Sequence, residues 1–126
     1  MREILFKAKR VDNGRWIQGS LLLPTTNCKE TKIVAWNGII FKVHPETVCQ
    51  FTGKEIKGVK LFEGDIFKVV NYFKLVSYNA ERMAFSITNC DENGNISYSF
   101  EQPQNPSDYW WNEFKEDIKI IGNIHD

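Results

Sequence analysis

The sequence predicts a mostly β, single-domain protein with one short helix over its 126 residues. Aromatic and β-branched residues dominate, turn dipeptides recur about every dozen residues, and sustained helical periodicity is scarce. With 42% hydrophobic, 13% aromatic and 25% charged residues, the chain can bury a core without disulfides or metals.

The first strand is expected from Ile4 to Lys9, with Ile4, Phe6 and Ala8 on one face and Lys7 and Lys9 on the other. Asp12-Asn13-Gly14 turns the chain, and Arg15 to Leu23 returns antiparallel with Trp16 as main anchor until Pro24. Thr31 to Trp36, Asn37-Gly38 and Ile39 to Val43 read as a hairpin closed by a two-residue type I′ turn. Pro45 and Glu46 suit a short helical turn, after which Val48 and Phe51 point inward.

Thr52 to Lys60 is polar, contains Gly53 and Gly58, and reads as a loop. In Glu63-Gly64-Asp65 the glycine enters the left-handed region and the Asp carboxylate accepts backbone N–H groups before a strand from Ile66 to Val70. Tyr72 to Tyr78 and Arg82 to Thr88 form a second hairpin around Asn79-Ala80-Glu81. Asp91 to Asn95 is a turn leading into a strand from Ile96 to Phe100. After a Pro-containing break, Ser107 caps a helix to Phe114, with Asp108 at the favourable end of its dipole. A last strand, Ile118 to Ile124, is interrupted by Gly122, which marks a bulge or a close backbone approach.

The residues that could carry chemistry are few. Cys28, Cys49 and Cys90 form no CxxC pair, and with His44 and His125 they lack the paired spacing of structural zinc ligands, so neither metal nor other cofactor is expected. Glu63 and Asp65 flank a glycine, but a metal site needs more oxygen ligands, and the turn-forming role of Gly53, Glu63, Gly64 and Asp65 is the simpler reading. The sequence has no nucleophile elbow, phosphate-binding loop, dinucleotide fingerprint or HExxH helix, and a non-enzymatic role is expected.

Sixteen basic residues balance sixteen acidic ones, which removes the simplest argument for a nucleic-acid partner. A single-stranded nucleic-acid surface around Lys68, Tyr72, Phe73, Lys74 and Tyr78 is an alternative, set against the commoner use of alternate strand aromatics as core. The consecutive rings of Tyr109, Trp110 and Trp111 cannot all face inward from one short helix, so an interface is expected there. No apolar stretch approaches the length of a membrane span and no secretory leader is evident, so a cytoplasmic protein with no membrane contact is expected.

Several segments in order resemble the YopX family of small phage and prophage proteins. They are Arg2-Glu3-Ile4 with Phe6, Trp16-x-x-Gly19-Ser20-Leu21, Val43-x-Pro45-Glu46-Thr47-Val48-x-Gln50-Phe51-Thr52-Gly53, Glu63-Gly64-Asp65-Ile66 and Ile121-Gly122-Asn123-Ile124. The chain departs from the family at Lys9, where an aromatic is usual, in a shorter loop between Gly53 and Glu63, and in a shorter tail. The resemblance implies a partly open SH3-like β-barrel with hairpin extensions in a bacterial host cell. It implies no known activity; some members form homo-oligomers. The expected function is a self-associating, non-catalytic module that contacts a phage or host protein.

Overall fold

The computed structural model describes residues 3–96 and 105–126. The strand expected from Ile96 to Phe100 and the break at Gln102-Pro103-Gln104 fall largely outside them, as do Arg2 and the side chain of Asp108. The described fold is mostly β: two antiparallel sheets and one short helix, without a closed barrel. The strands are β1 (Phe6–Lys9), β2 (Trp16–Leu22), β3 (Lys32–Val34), β4 (Ile40–Lys42), β5 (Cys49–Ile56), β6 (Val59–Phe62), β7 (Asp65–Val69), β8 (Tyr72–Asn79), β9 (Ala84–Cys90) and β10 (Ile118–Asn123). The helix is α1 (Asp108–Phe114), and Pro45–Thr47 forms a single 3₁₀ turn. One sheet has the order β4-β3-β2-β1-β5-β6 and the other β10-β7-β8-β9. The chain divides into two compact units, Met1–Gly53 and Lys54–Asp126.

In the first unit, β1 pairs with β2 so that Ala8 opposes Ile17 and Lys9 opposes Trp16. Strand alternation therefore turns Ile17 towards the core of Ala8, Ile33 and Val43, where Phe6, Leu21 and Val48 also pack. Trp16, expected as the main anchor of this strand, lies on the opposite face with Lys7 and Lys9. Phe51 is buried, as its position after the 3₁₀ turn suggests. Thr47 fastens that turn: its hydroxyl accepts from Lys9 N at 2.9 Å and donates to the His44 carbonyl at 2.7 Å.

The β3–β4 hairpin forms, but its turn differs from the two-residue expectation. Ala35 N donates to Ile39 O and Gly38 N to Ala35 O, each at 2.9 Å, which encloses a three-residue loop, Trp36-Asn37-Gly38. A type I′ turn needs positive φ at both Asn37 and Gly38, and only Gly38 has it, at 84°. The two-residue turn with both φ positive occurs instead at Lys57-Gly58, with φ of 53° and 79°, inside the segment read as a loop. It makes β5 and β6 a hairpin.

The second unit is built around Ile56, Leu61, Phe67, Val69, Val76, Ile87 and Ile118, with Trp110, Trp111, Phe114 and Ile120 packed against them. The β8–β9 hairpin forms, but Asn79 still pairs with Ala84, so its turn is Ala80 to Met83 and its second strand starts two residues later than expected. The Asp91 turn matches expectation, Asp91 Oδ1 accepting from Asn93 N at 2.8 Å and Asn95 N at 2.9 Å. The expected bulge in the last strand is present as a register shift between Ile120 and Gly122 opposite β7. Val70 opens the two-residue β7–β8 turn at φ 56°, a position that favours glycine and strains a β-branched residue.

Candidate interaction surfaces

Ser107 caps α1, its hydroxyl accepting from Trp110 N at 3.3 Å. Helical spacing then stacks Trp110 on Phe114, with centroids 5.2 Å apart, while Trp111 meets Phe67 of the core at 5.9 Å. Trp110 and Trp111 meet edge to face at 5.0 Å, and Lys54 Nζ lies 5.3 Å from the Trp111 centroid. Of the three consecutive rings, Trp110 and Trp111 are half-buried anchors and Tyr109, 76% exposed, is presented to solvent.

The Glu63-Gly64-Asp65 segment is a clasp. Asp65 is buried; its Oδ2 accepts from Phe62 N at 2.8 Å and its Oδ1 from Asn123 Nδ2 at 2.9 Å. Gly64, at φ 85°, accepts from Ile124 N at 2.9 Å and donates to Val76 O at 2.8 Å. These bonds tie the β6–β7 turn to the end of β10. Gly53, the other glycine of the expected turn motif, lies within β5 at φ 90°. Among the described residues no group of three or more His, Cys, Asp or Glu side chains is placed to hold a metal.

Lys68, Tyr72 and Lys74 do not share a surface. Register sets Lys68 opposite Phe73 and Lys119, on one face of the sheet, and alternation puts Tyr72 and Lys74 on the other. Lys74 Nζ donates to Asn89 Oδ1 and lies 5.9 Å from the Tyr72 centroid. A groove of about 550 Å³ runs beside Ile56, Val59, Ile118 and Ile120, bordered by strands that end their sheets. Lys57 Nζ crosses its rim to the Glu116 carbonyl at 2.7 Å.

The first unit carries a surface that the sequence reading did not assemble. Lys7 opposes Gln18 and Lys9 opposes Trp16; Leu22, Lys32 and Lys42 form one cross-strand row, and Ser20, Val34 and Ile40 the next. Directly opposed residues share a face, so Lys7, Lys9, Lys32 and Lys42 lie on one face of the sheet with Trp16, Leu22, Val34 and Ile40. Strands β1 to β4 contain no acidic residue. Lys7 and Lys9 place their ammonium groups 4.7 Å and 5.6 Å from the Trp16 centroid. Lys42 pairs with the exposed Glu30 at 3.0 Å.

The zero net charge is likewise divided. Met1–Gly53 holds eight basic and four acidic residues, a balance of +4, whereas Lys54–Asp126 holds eight basic and twelve acidic ones, a balance of −4.

The three cysteines sit in different surroundings. Hydrogen bonding from the Glu30 backbone, then Lys32, holds the Cys28 thiol below the ordinary thiol range, whereas burial pushes Cys90 up to about 11. Cys49 is buried and donates to Thr47 O at 3.3 Å. Because the thiolate is the nucleophile, iodoacetamide near neutral pH is expected to modify Cys28 first. Its rate should rise with pH through a lower midpoint than that of Cys90. Mass spectrometry of timed digests checks this order, and equal rates at Cys28 and Cys90 would refute it.

Comparison with protein-family models, with curated proteins and with solved structures finds no match. No described helix is long and apolar enough to cross a membrane.

Proposed function

We propose that this chain is a non-catalytic interaction module that associates with copies of itself, as an accessory protein of the phage or prophage type its motifs resemble. In this reading its two sheets belong to a partly open SH3-like arrangement within one domain, and its place is the cytoplasm of a bacterial host. The observation that carries self-association is Tyr109, an exposed ring on a helix that Trp110, Trp111 and Phe114 pin to the core. A ring presented this way loses little conformational entropy on docking, and Tyr is favoured at interfaces for that reason. The +4 and −4 units add attraction between copies where a neutral total provides only an absence of repulsion.

Light scattering across micromolar concentrations tests the reading. An oligomer is expected, shifted towards monomer in Tyr109→Ser. A strict monomer throughout would end it. A second reading, a single-stranded nucleic-acid-binding protein, is favoured by the lysine face of the first unit.

A further inference from the structure

We infer that the outer face of β1 to β4 is a binding site for single-stranded nucleic acid, with Lys7, Lys9, Lys32 and Lys42 as phosphate contacts. Lys7 and Lys9 are two residues apart on one strand, hence about 7 Å apart along it. Lys32 and Lys42 face each other directly across β3 and β4. Like charges in directly opposed positions destabilise a sheet, so this pair calls for an anion to relieve it. Glu30 does so for Lys42, through an exposed pair of the kind that contributes little and that a phosphate can displace, while Lys32 has the Cys28 thiol rather than a carboxylate beside it.

Charge alone does not choose between single strand and duplex. Between the lysines, however, the face is partly apolar: Leu22 and Ile40 are exposed, and Val34 and Trp16 half-exposed. Unpaired bases can lie against such a strip, whereas a duplex keeps its base faces stacked inside. The chemistry on this face therefore fits a phosphodiester backbone with accessible bases. Tyr109 belongs to the other unit.

The test is fluorescence anisotropy of the full chain with a labelled oligothymidylate of about 20 nucleotides, long enough for one such site, and with a duplex of the same length. Single-strand binding is expected to weaken about 50-fold between roughly 50 and 200 mM salt, from four phosphate contacts at about 0.7 each in the logarithmic slope. Lys32→Glu is the informative variant, because it converts the opposed Lys32–Lys42 pair into an ion pair and should hold or raise the melting temperature. It is expected to bind about tenfold more weakly and with a shallower salt slope. Arg82→Glu, the same charge change in the exposed β8–β9 loop, should leave binding nearly unchanged.

Equal losses in the two variants would reduce the effect to net charge and overturn the assignment. A preference for duplex would also overturn it, as would undiminished binding by Lys32→Glu. Absence of oligonucleotide binding, with salt-reversible self-association lost in Lys32→Glu, would instead give the face to the acidic unit of a second copy. Failure of the Tyr109 reading shows in light scattering alone, so the two outcomes are distinguishable.

Discussion

Gly19→Ala is expected to part β2 from β3 and to cost roughly 3 kcal/mol or more, the upper range for overpacking a well-fitted site. A Cβ at this position would stand 2.0 Å from the Val34 carbonyl oxygen, 2.7 Å from its carbon and 2.9 Å from Ile33 Cγ2. A flexible side chain can swing away from such an intrusion. A backbone carbonyl cannot, and Val34 is held in the ladder by its pairing with Ser20. The only relief is separation of the strands, which strips Ile33 from the core it shares with Ala8 and Val43. Urea denaturation measures the loss; a midpoint within error of the wild type would show that the close approach is not maintained in solution. The same substitution breaks the row that joins Lys32 to β2, so it should remove both stability and oligonucleotide binding. Lys32→Glu, by contrast, separates those two quantities.

Asp65→Ala is expected to cost about 3 kcal/mol, because it withdraws the acceptor of two buried donors at once. Phe62 N loses its carboxylate partner and Asn123 Nδ2 loses its shorter bond, at 2.9 Å, and keeps the longer one to the Glu63 carbonyl at 3.3 Å. Asn123 is itself a hub, its Oδ1 accepting from His125 N at 3.0 Å and its backbone N donating to Asp126 Oδ2 at 2.8 Å. Loosening Asp65 therefore frees the end of β10 as well as the β6–β7 turn. Asp65→Asn retains the volume and one oxygen acceptor and should recover part of the loss. Equilibrium unfolding of both variants checks the order. If alanine and asparagine proved equally harmless, the carboxylate would be ornamental and the turn would be held by Gly64 alone.

The clasp shows how much a sequence reveals when a local rule decides the outcome. Gly64 at positive φ, Asp65 accepting backbone N–H groups, the Pro45 turn and the Ser107 cap all follow from residue types acting within a few positions of themselves. Asn123, the long-range partner of Asp65, follows no local rule and became visible only with the fold. The Lys57-Gly58 hairpin is not legible in the sequence because Lys is an unusual residue at positive φ, while Asn37-Gly38 has the favoured composition and takes the three-residue loop.

Trp16 shows a second limit. Trp16 is expected as the main anchor of its strand, yet strand alternation alone decides its side, and Ile17 takes the inward position. The lysine face follows the same logic. Lys7 and Lys9 could be placed on one side of β1 from alternation, but Lys32 and Lys42 join them only through the registers of β2 with β3 and β3 with β4. A neutral total charge likewise hid the division between units, which needs the boundary at Gly53 to be seen.

The three-residue loop of the β3–β4 hairpin also has a spectroscopic consequence. It leaves Trp36 95% exposed, while Trp16, Trp110 and Trp111 are each half-buried. Trp36 is thus the indole most open to a soluble quencher, and its emission belongs to the red, water-relaxed end of the spectrum. A ligand that covers the tip of this hairpin would shield that one component and shift it towards the blue. The chain in effect carries its own fluorophore at the margin of the lysine face.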